Sequence, residues 1–217
     1  MEINGKKVVF LGDSITQGAG ASAPENNFVN VFARITGAEV FNFGVSGTRI
    51  AKQTNPTVYA PQFDETFAER AMNAPADADV VVVFGGTNDF GHGDAKFGDF
   101  MSTDEHTFCG AFNELIKLLI ARFEQAELII MTPLHRASEA VTTNEIGLPC
   151  RPLIDYVNVE KKYAEYYSVP VLDLWSVSGI QPRSEVLFKR LTTDGLHPND
   201  LGHERIAERL AGFLKSL

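Results

Sequence analysis

The chain has 217 residues, 44% of them hydrophobic and 22% charged, with a formal net charge of −9. That composition is globular, neither disordered nor membrane-like. An acidic balance without a Lys/Arg run argues against nucleic acid or an anionic membrane as partner, since both bind through clustered positive charge. No apolar run reaches the roughly 18 residues of a membrane span, and the first residues lack the long apolar core of a signal peptide. A cytoplasmic protein is expected. Cys109 and Cys150 are the only cysteines and are read as reduced thiols.

Taken in order, Val8–Leu11 is a short apolar run rich in β-branched residues, the mark of a strand covered on both faces, and it stops at Gly12-Asp13-Ser14. Residues 18–27 read as a loop. A helix follows on the spacing of Phe28, Val29, Phe32 and Ile35, with Asn27 as N-cap and Gly37 as C-cap. Glu39–Phe43 is a second strand ending in Gly44-Val45-Ser46-Gly47. Residues 48–61, broken by Pro56 and Pro61, read as loop or frayed helix leading to a short helix near Phe63–Met72.

Val80–Phe84 has the strongest strand signal in the chain and ends in Gly85-Gly86-Thr87-Asn88-Asp89. Phe90–Asp104, with three glycines, is expected to be a mobile loop over a site. Its aromatics Phe90, Phe97 and Phe100 either line a pocket or pack the loop down. Phe108, Phe112, Leu115, Ile116, Leu119, Ile120 and Phe123 form one apolar helix face between about Asp104 and Gln125. Leu128–Thr132 is the fourth strand, Pro133–Pro152 a long connection, Leu153–Tyr167 a helix, and Pro170–Leu174 a fifth strand. After a turn at Thr192–Pro198, Asn199 or Asp200 caps a last helix bearing Leu201, Ile206, Leu210 and Leu214. Strands alternating with helices predict one α/β domain over residues 1–217 with a mostly parallel sheet.

Polar clusters at successive strand ends stand where open α/β sheets bind ligands. Together they supply the groups that acyl transfer needs. Ser14 can attack a carbonyl, His197 can take its proton and return it to the leaving group, and Asp194 can orient and stabilise the imidazolium. Backbone N–H groups of Ser14 and Gly44 and the amide of Asn88 can serve a developing oxyanion. Asp13 is a candidate substrate contact, although a carboxylate bonded to its own turn explains it more simply. Arg49 can meet an acidic group or a sugar hydroxyl, or form a structural ion pair. His92, His106 and His135 are read as loop residues, since no local spacing makes a metal site, and His203 as a surface residue.

Gly12-Asp13-Ser14, Gly44 in Asn-Phe-Gly-Val-Ser-Gly, Gly86-Thr87-Asn88-Asp89 and Asp194-Gly195-Leu196-His197-Pro198 resemble, in order, the blocks of the SGNH hydrolase superfamily, the GDSL esterases and lipases. They span nearly the whole chain. The resemblance implies a three-layer α/β/α, flavodoxin-like fold with a mostly parallel five-stranded sheet. It also implies ester hydrolysis through an acyl-enzyme on Ser14, with His197 and Asp194 as its catalytic partners, Ser14, Gly44 and Asn88 as oxyanion hole, and no metal or organic cofactor. No Gly-x-Ser-x-Gly elbow supports the α/β-hydrolase alternative. Small acyl esters, O-acetyl groups of carbohydrates first, are the expected substrates. A lysophospholipase- or thioesterase-like acyl hydrolase and a non-catalytic carbohydrate-binding protein are the alternatives.

Overall fold

The computed structural model describes residues 1–217. Its elements are β1 (Lys7–Gly12), α1 (Ser14–Gln17), α2 (Phe28–Thr36), β2 (Glu39–Gly44), α3 (Phe67–Ala71), β3 (Val80–Phe84), α4 (Thr87–His92), α5 (Phe108–Arg122), β4 (Glu127–Met131), α6 (Leu153–Tyr167), β5 (Val171–Leu172), α7 (Leu174–Val177), α8 (Glu185–Leu191) and α9 (Asp200–Ser216). The strands form one sheet in the order β2-β1-β3-β4-β5, and every neighbouring pair is parallel. Because β1 is flanked by β2 on one side and β3 on the other, the chain reverses its direction of travel across the sheet at β1. That switch point opens a crevice at the strand ends.

Alternation along each strand divides the core into two layers. Val9, Leu11, Val81, Val83 and Ile130 face a layer that includes Phe67 of α3, Phe112 and Leu115 of α5 and Tyr163 of α6. Val8, Phe10, Val80, Val82 and Ile129 face the opposite layer, with Phe28 and Phe32 of α2 and Ile206 and Leu210 of α9. Phe10 meets Phe28 and Phe32 edge-on at centroid distances of 5.7 and 5.6 Å. This is the expected three-layer α/β/α architecture.

Several expectations fail for identifiable reasons. The supposed mobile loop begins as a helix: Gly86 adopts a left-handed φ of 92° and launches α4, which buries Phe90 at 1% exposure. Phe97 packs edge-on against Tyr156 at 5.0 Å and Phe100 lies 4.6 Å from Tyr163, so both hold the segment down. The fifth strand is only Val171–Leu172, because the Asp173 side chain caps α7 and takes the chain out of the sheet. Helices α7 and α8 have no counterpart in the sequence reading. His203 is fully buried: Phe28 N–H donates to its Nδ1 at 3.3 Å, its Nε2 bonds the Ala19 carbonyl at 3.1 Å, and its ring stacks on Phe28. It therefore ties α9 to the start of α2, and burial lowers its pKa. No helix is long and apolar enough to cross a membrane.

Candidate active site

Ser14 opens α1 directly beyond β1, and the turn there is built by Asp13. The Asp13 carboxylate is buried and accepts the Ile15 N–H at 3.0 Å. Its side chain therefore caps α1. Burial, partly opposed by that N–H and by His197 and Arg70, raises its pKa to about 6. As the first residue of α1, Ser14 has no carbonyl one turn earlier to take its own N–H.

His197 reaches Ser14 from the turn before α9. The Ser14 Oγ lies 2.9 Å from His197 Nε2, and His197 Nδ1 lies 2.7 Å from Asp194 Oδ2. The turn fixes the pair locally: Asp194 Oδ1 accepts the N–H groups of Leu196 at 2.9 Å and His197 at 2.7 Å. Partial burial pushes the Asp194 carboxyl up, but hydrogen bonds from the His197 backbone and ring and from Leu196 outweigh it and leave its pKa below the ordinary value. A carboxylate at Nδ1 requires that nitrogen to carry the proton, so Nε2 is the lone-pair nitrogen facing the serine hydroxyl.

The opposite wall is assembled from the ends of β2 and β3. Asn88 is buried on α4, and its amide nitrogen spends one hydrogen on the Thr48 carbonyl at 3.0 Å. One amide hydrogen is left over. Gly44 is different: its N–H donates to Asn42 Oδ1 at 2.8 Å. Of the three donors expected at an oxyanion, those of Ser14 and Asn88 are free of protein partners and that of Gly44 is engaged. A Cβ on Gly44 would run into the backbone of Thr16 and Gln17, so glycine is required there by the approach of α1.

Three residues to which the sequence analysis assigns no role hold this wall. Arg70, on α3 and 3% exposed, donates to the Gly12 carbonyl at 2.7 Å, to the Phe43 carbonyl and to Thr48 Oγ1 at 2.9 Å. One guanidinium thereby joins the ends of β1 and β2 to the loop that receives Asn88, and desolvation lowers its pKa to about 10. Asp89 accepts the N–H groups of Ile50 and Ala51 at 3.0 and 2.9 Å. Its pKa rises to about 6 because burial outweighs those bonds. Arg136, in the connection after β4, donates to the Thr87 carbonyl at 3.3 Å and to Glu145 at 2.5 Å, bracing α4 from the far side. A lone arginine on a short helix reads as a solvated charge, so the sequence carried no signal for Arg70.

Glu160 of α6 lies beneath α4 with both carboxyl oxygens buried and unpartnered. Burial, reinforced by the charges of Asp89 and Asp13, raises its pKa well above the usual range. It occupies the space left by the missing side chain of Gly86. Arg49 is also buried; it pairs with Asp64 at 2.5 Å and meets Thr57 Oγ1 and His92 Nδ1, each at 3.0 Å. His135 bonds Glu139 at 2.8 Å and lies against Trp175. No group of three or more His, Cys, Asp or Glu residues is arranged to hold a metal ion. A surface groove of about 600 Å³ between α3 and α5 is lined by none of Ser14, Asn88, Asp194 or His197.

A serine, histidine and aspartate stand in hydrogen-bonded series at the open ends of a parallel α/β/α sheet, an arrangement that serine hydrolases of several α/β folds share. The chain belongs to the GDSL-like lipase/acylhydrolase family, whose model matches residues 10–205. It is a hydrolase acting on esters. A protein from Lactobacillus plantarum of solved structure is 28% identical, with a TM-score of 0.83 over 99% of this chain and 98% of its own. The lipase/acylhydrolase from Enterococcus faecalis is 22% identical at a TM-score of 0.66, covering 97% of this chain and 96% of its own. The acetyl xylan esterase AlAXEase is 22% identical at a TM-score of 0.64, covering 95% and 98% respectively. No curated protein matches the chain.

Proposed function

We propose that this protein is a serine carboxylester hydrolase that removes small acyl groups, O-acetyl groups of carbohydrates foremost, through an acyl-enzyme. The observation that carries the chemistry is the continuous series Ser14 Oγ, His197 Nε2, His197 Nδ1, Asp194 Oδ2, with steps of 2.9 and 2.7 Å. His197 takes the Ser14 proton as Oγ bonds to the carbonyl carbon, and the imidazolium then protonates the departing alcohol oxygen. Water repeats the sequence on the acyl-enzyme and releases the acid. Asp194 has its carboxyl pKa held low, so it stays ionised and stabilises the imidazolium. The Ser14 N–H and the second amide hydrogen of Asn88 receive the oxyanion, and Gly44 adds a third donor when Asn42 releases it.

The preference for acetylated carbohydrates draws support from the polar groups of Arg49, Gln53, Asn55, His92 and Asp94, which with Val58, Tyr59, Ile146 and Leu148 border a cavity of about 320 Å³ one helical turn along α4 from Asn88. It also draws on the likeness in fold to the acetyl xylan esterase. Two experiments test the reading. A serine-directed phosphonate should label the wild type at Ser14, and Ser14→Ala should lose both labelling and ester hydrolysis while keeping its fold. Labelling elsewhere with full activity in Ser14→Ala overturns the nucleophile. In an acyl series, kcat/KM should fall beyond about four carbons; a lipid-acting enzyme would instead gain with each buried CH₂, at roughly 0.8 kcal/mol apiece. A steady rise from acetyl to octanoyl replaces the acetyl reading with a long-chain acyl hydrolase.

A further inference from the structure

Asn88 and His92 stand four residues apart on α4 and so project from the same helix face, about 6 Å apart along the axis. The two are also joined through the chain that faces them. Thr48 accepts the Asn88 amide, and the next residue, Arg49, holds His92 with Nη1 at 3.0 Å from Nδ1. A guanidinium can only donate, so Nδ1 of His92 must present a lone pair. The ring is therefore neutral and its one proton sits on Nε2. Burial, followed by the Arg49 charge, lowers its pKa to about 4, in keeping with that state.

Arg49 is in turn fixed by Asp64 at 2.5 Å and Thr57 Oγ1 at 3.0 Å, and Asp64 also accepts the Thr57 N–H at 2.6 Å. Phe63 packs against His92 with the rings tilted and their centroids 5.9 Å apart. The imidazole is thus held at Nδ1 and by Phe63. Its Nε2–H has no protein partner, and the ring borders the cavity of about 320 Å³. Elsewhere the cavity wall is apolar, from Pro56, Val58, Ile146 and Leu148, and its charges are paired. Arg49 is neutralised by Asp64, and Asp94 is occupied by the N–H groups of Thr54 and Asn55 and the Asn55 amide, at 2.7–2.9 Å. Tyr59 stands at the rim with 79% of its surface exposed.

We propose that this cavity is the subsite for a sugar ring of the esterified carbohydrate. The Nε2–H of His92 donates to a hydroxyl or ring oxygen, and Tyr59 offers an aromatic face. A neutral donor, paired charges and an exposed aromatic suit an uncharged polyhydroxylated ring and offer an anion no free cation. This inference rests on the carbohydrate-ester reading and deepens it by assigning His92 and Tyr59 as specificity residues.

The test compares an acetylated xylo-oligosaccharide with phenyl acetate, which carries no sugar. His92→Phe keeps a ring against Phe63 but removes the donor, and Tyr59→Ser changes an exposed side chain that the core does not need. Each should lower the ratio of kcat/KM on the sugar ester to that on phenyl acetate by about 3- to 10-fold, the worth of one neutral hydrogen bond. For the sugar ester the loss should appear in KM. Equal losses on both esters in His92→Phe, with no change in the ratio for Tyr59→Ser, overturn the subsite and leave the carbohydrate reading standing. A wild type that cleaves phenyl acetate but no acetylated sugar overturns both.

Discussion

The two walls of the site are built in opposite ways. The wall bearing His197 and Asp194 is a single turn: the residues are three apart, and one Asp194 oxygen takes two N–H groups while the other takes the ring. It is also open to water, with the Asp194 side chain 51% exposed. The wall bearing Asn88 and Gly44 is held by a buried frame joined over long stretches of chain, with Arg70 reaching back 58 residues to Gly12 and Asp89 back 39 residues to Ile50. A short turn can position a proton carrier with local hydrogen bonds alone. Donors aimed at a developing charge must stay put without water to reorganise, and here that rigidity comes from buried arginine and aspartate.

Mutations on each wall should separate the two modes of construction. His197→Ala should be the largest loss, on the order of 10⁶-fold in kcat with the circular dichroism and melting temperature little altered, since the turn is kept by Asp194. Asp194→Asn leaves one acceptor for the turn but removes the charge and permits the wrong tautomer. It should cost about 10²- to 10⁴-fold in kcat, with its exposure placing it below a fully buried partner. Full activity at a pH where chemistry limits the rate would remove Asp194 from the relay.

On the buried wall, stability and catalysis should fall together or apart according to the residue. Arg70→Met removes the guanidinium donor from the Phe43 carbonyl and Thr48 Oγ1 and leaves the Gly12 carbonyl only the Val45 N–H at 3.2 Å, and it should cost about 2–3 kcal/mol in urea unfolding, accompanied by a fall in kcat. Asn88→Ala should cost about 100- to 1,000-fold in kcat with a much smaller effect on KM, the signature of a donor used in the transition state. A normal kcat in a folded Arg70→Met would show that the oxyanion wall keeps its geometry without the arginine.

The smallest expected effect is a pH dependence of stability. Asp13 has a pKa of about 6 in the folded protein against 3.8 for an unperturbed aspartate, so the folded state binds its proton more tightly. Its contribution is fully present below about pH 4 and is lost as pH rises through about 6, amounting to roughly 3 kcal/mol at most at 1.36 kcal/mol per unit. Asp13→Asn cannot ionise and should lack that decline when unfolding is followed from pH 4 to 7. A decline as steep as in wild type would assign it to Asp89 or Glu160.

Legibility in the sequence follows the same division. The buried strands, Asn27 and Gly37 at the ends of α2, and the full span of α6 could be read because apolar period and capping chemistry are local. The start of the segment Phe90–Asp104 is helix rather than loop, which the sequence does not show because a run of glycines and polar residues looks the same whether it turns or starts a helix. The left-handed Gly86 and the clasp of Asp89 on Ile50 and Ala51 decide it, and both depend on a segment far away in the chain. His203 was misplaced because its burial requires α9 to lie against α2.

By itself, then, the sequence determined the alternation of strands and helices, the strand-end placement of Ser14, Gly44 and Asn88, and the Asp194–His197 turn. Each is governed by residues within a few positions of one another. Only the tertiary structure decided that Ser14 meets His197 from 183 positions away, that Arg70 is a brace for three backbone segments, that the Gly44 N–H is engaged, and that His92 carries its proton on Nε2. Those outcomes depend on which groups lose water together when the layers close over the sheet. A buried donor or acceptor then takes whatever partner the packing supplies.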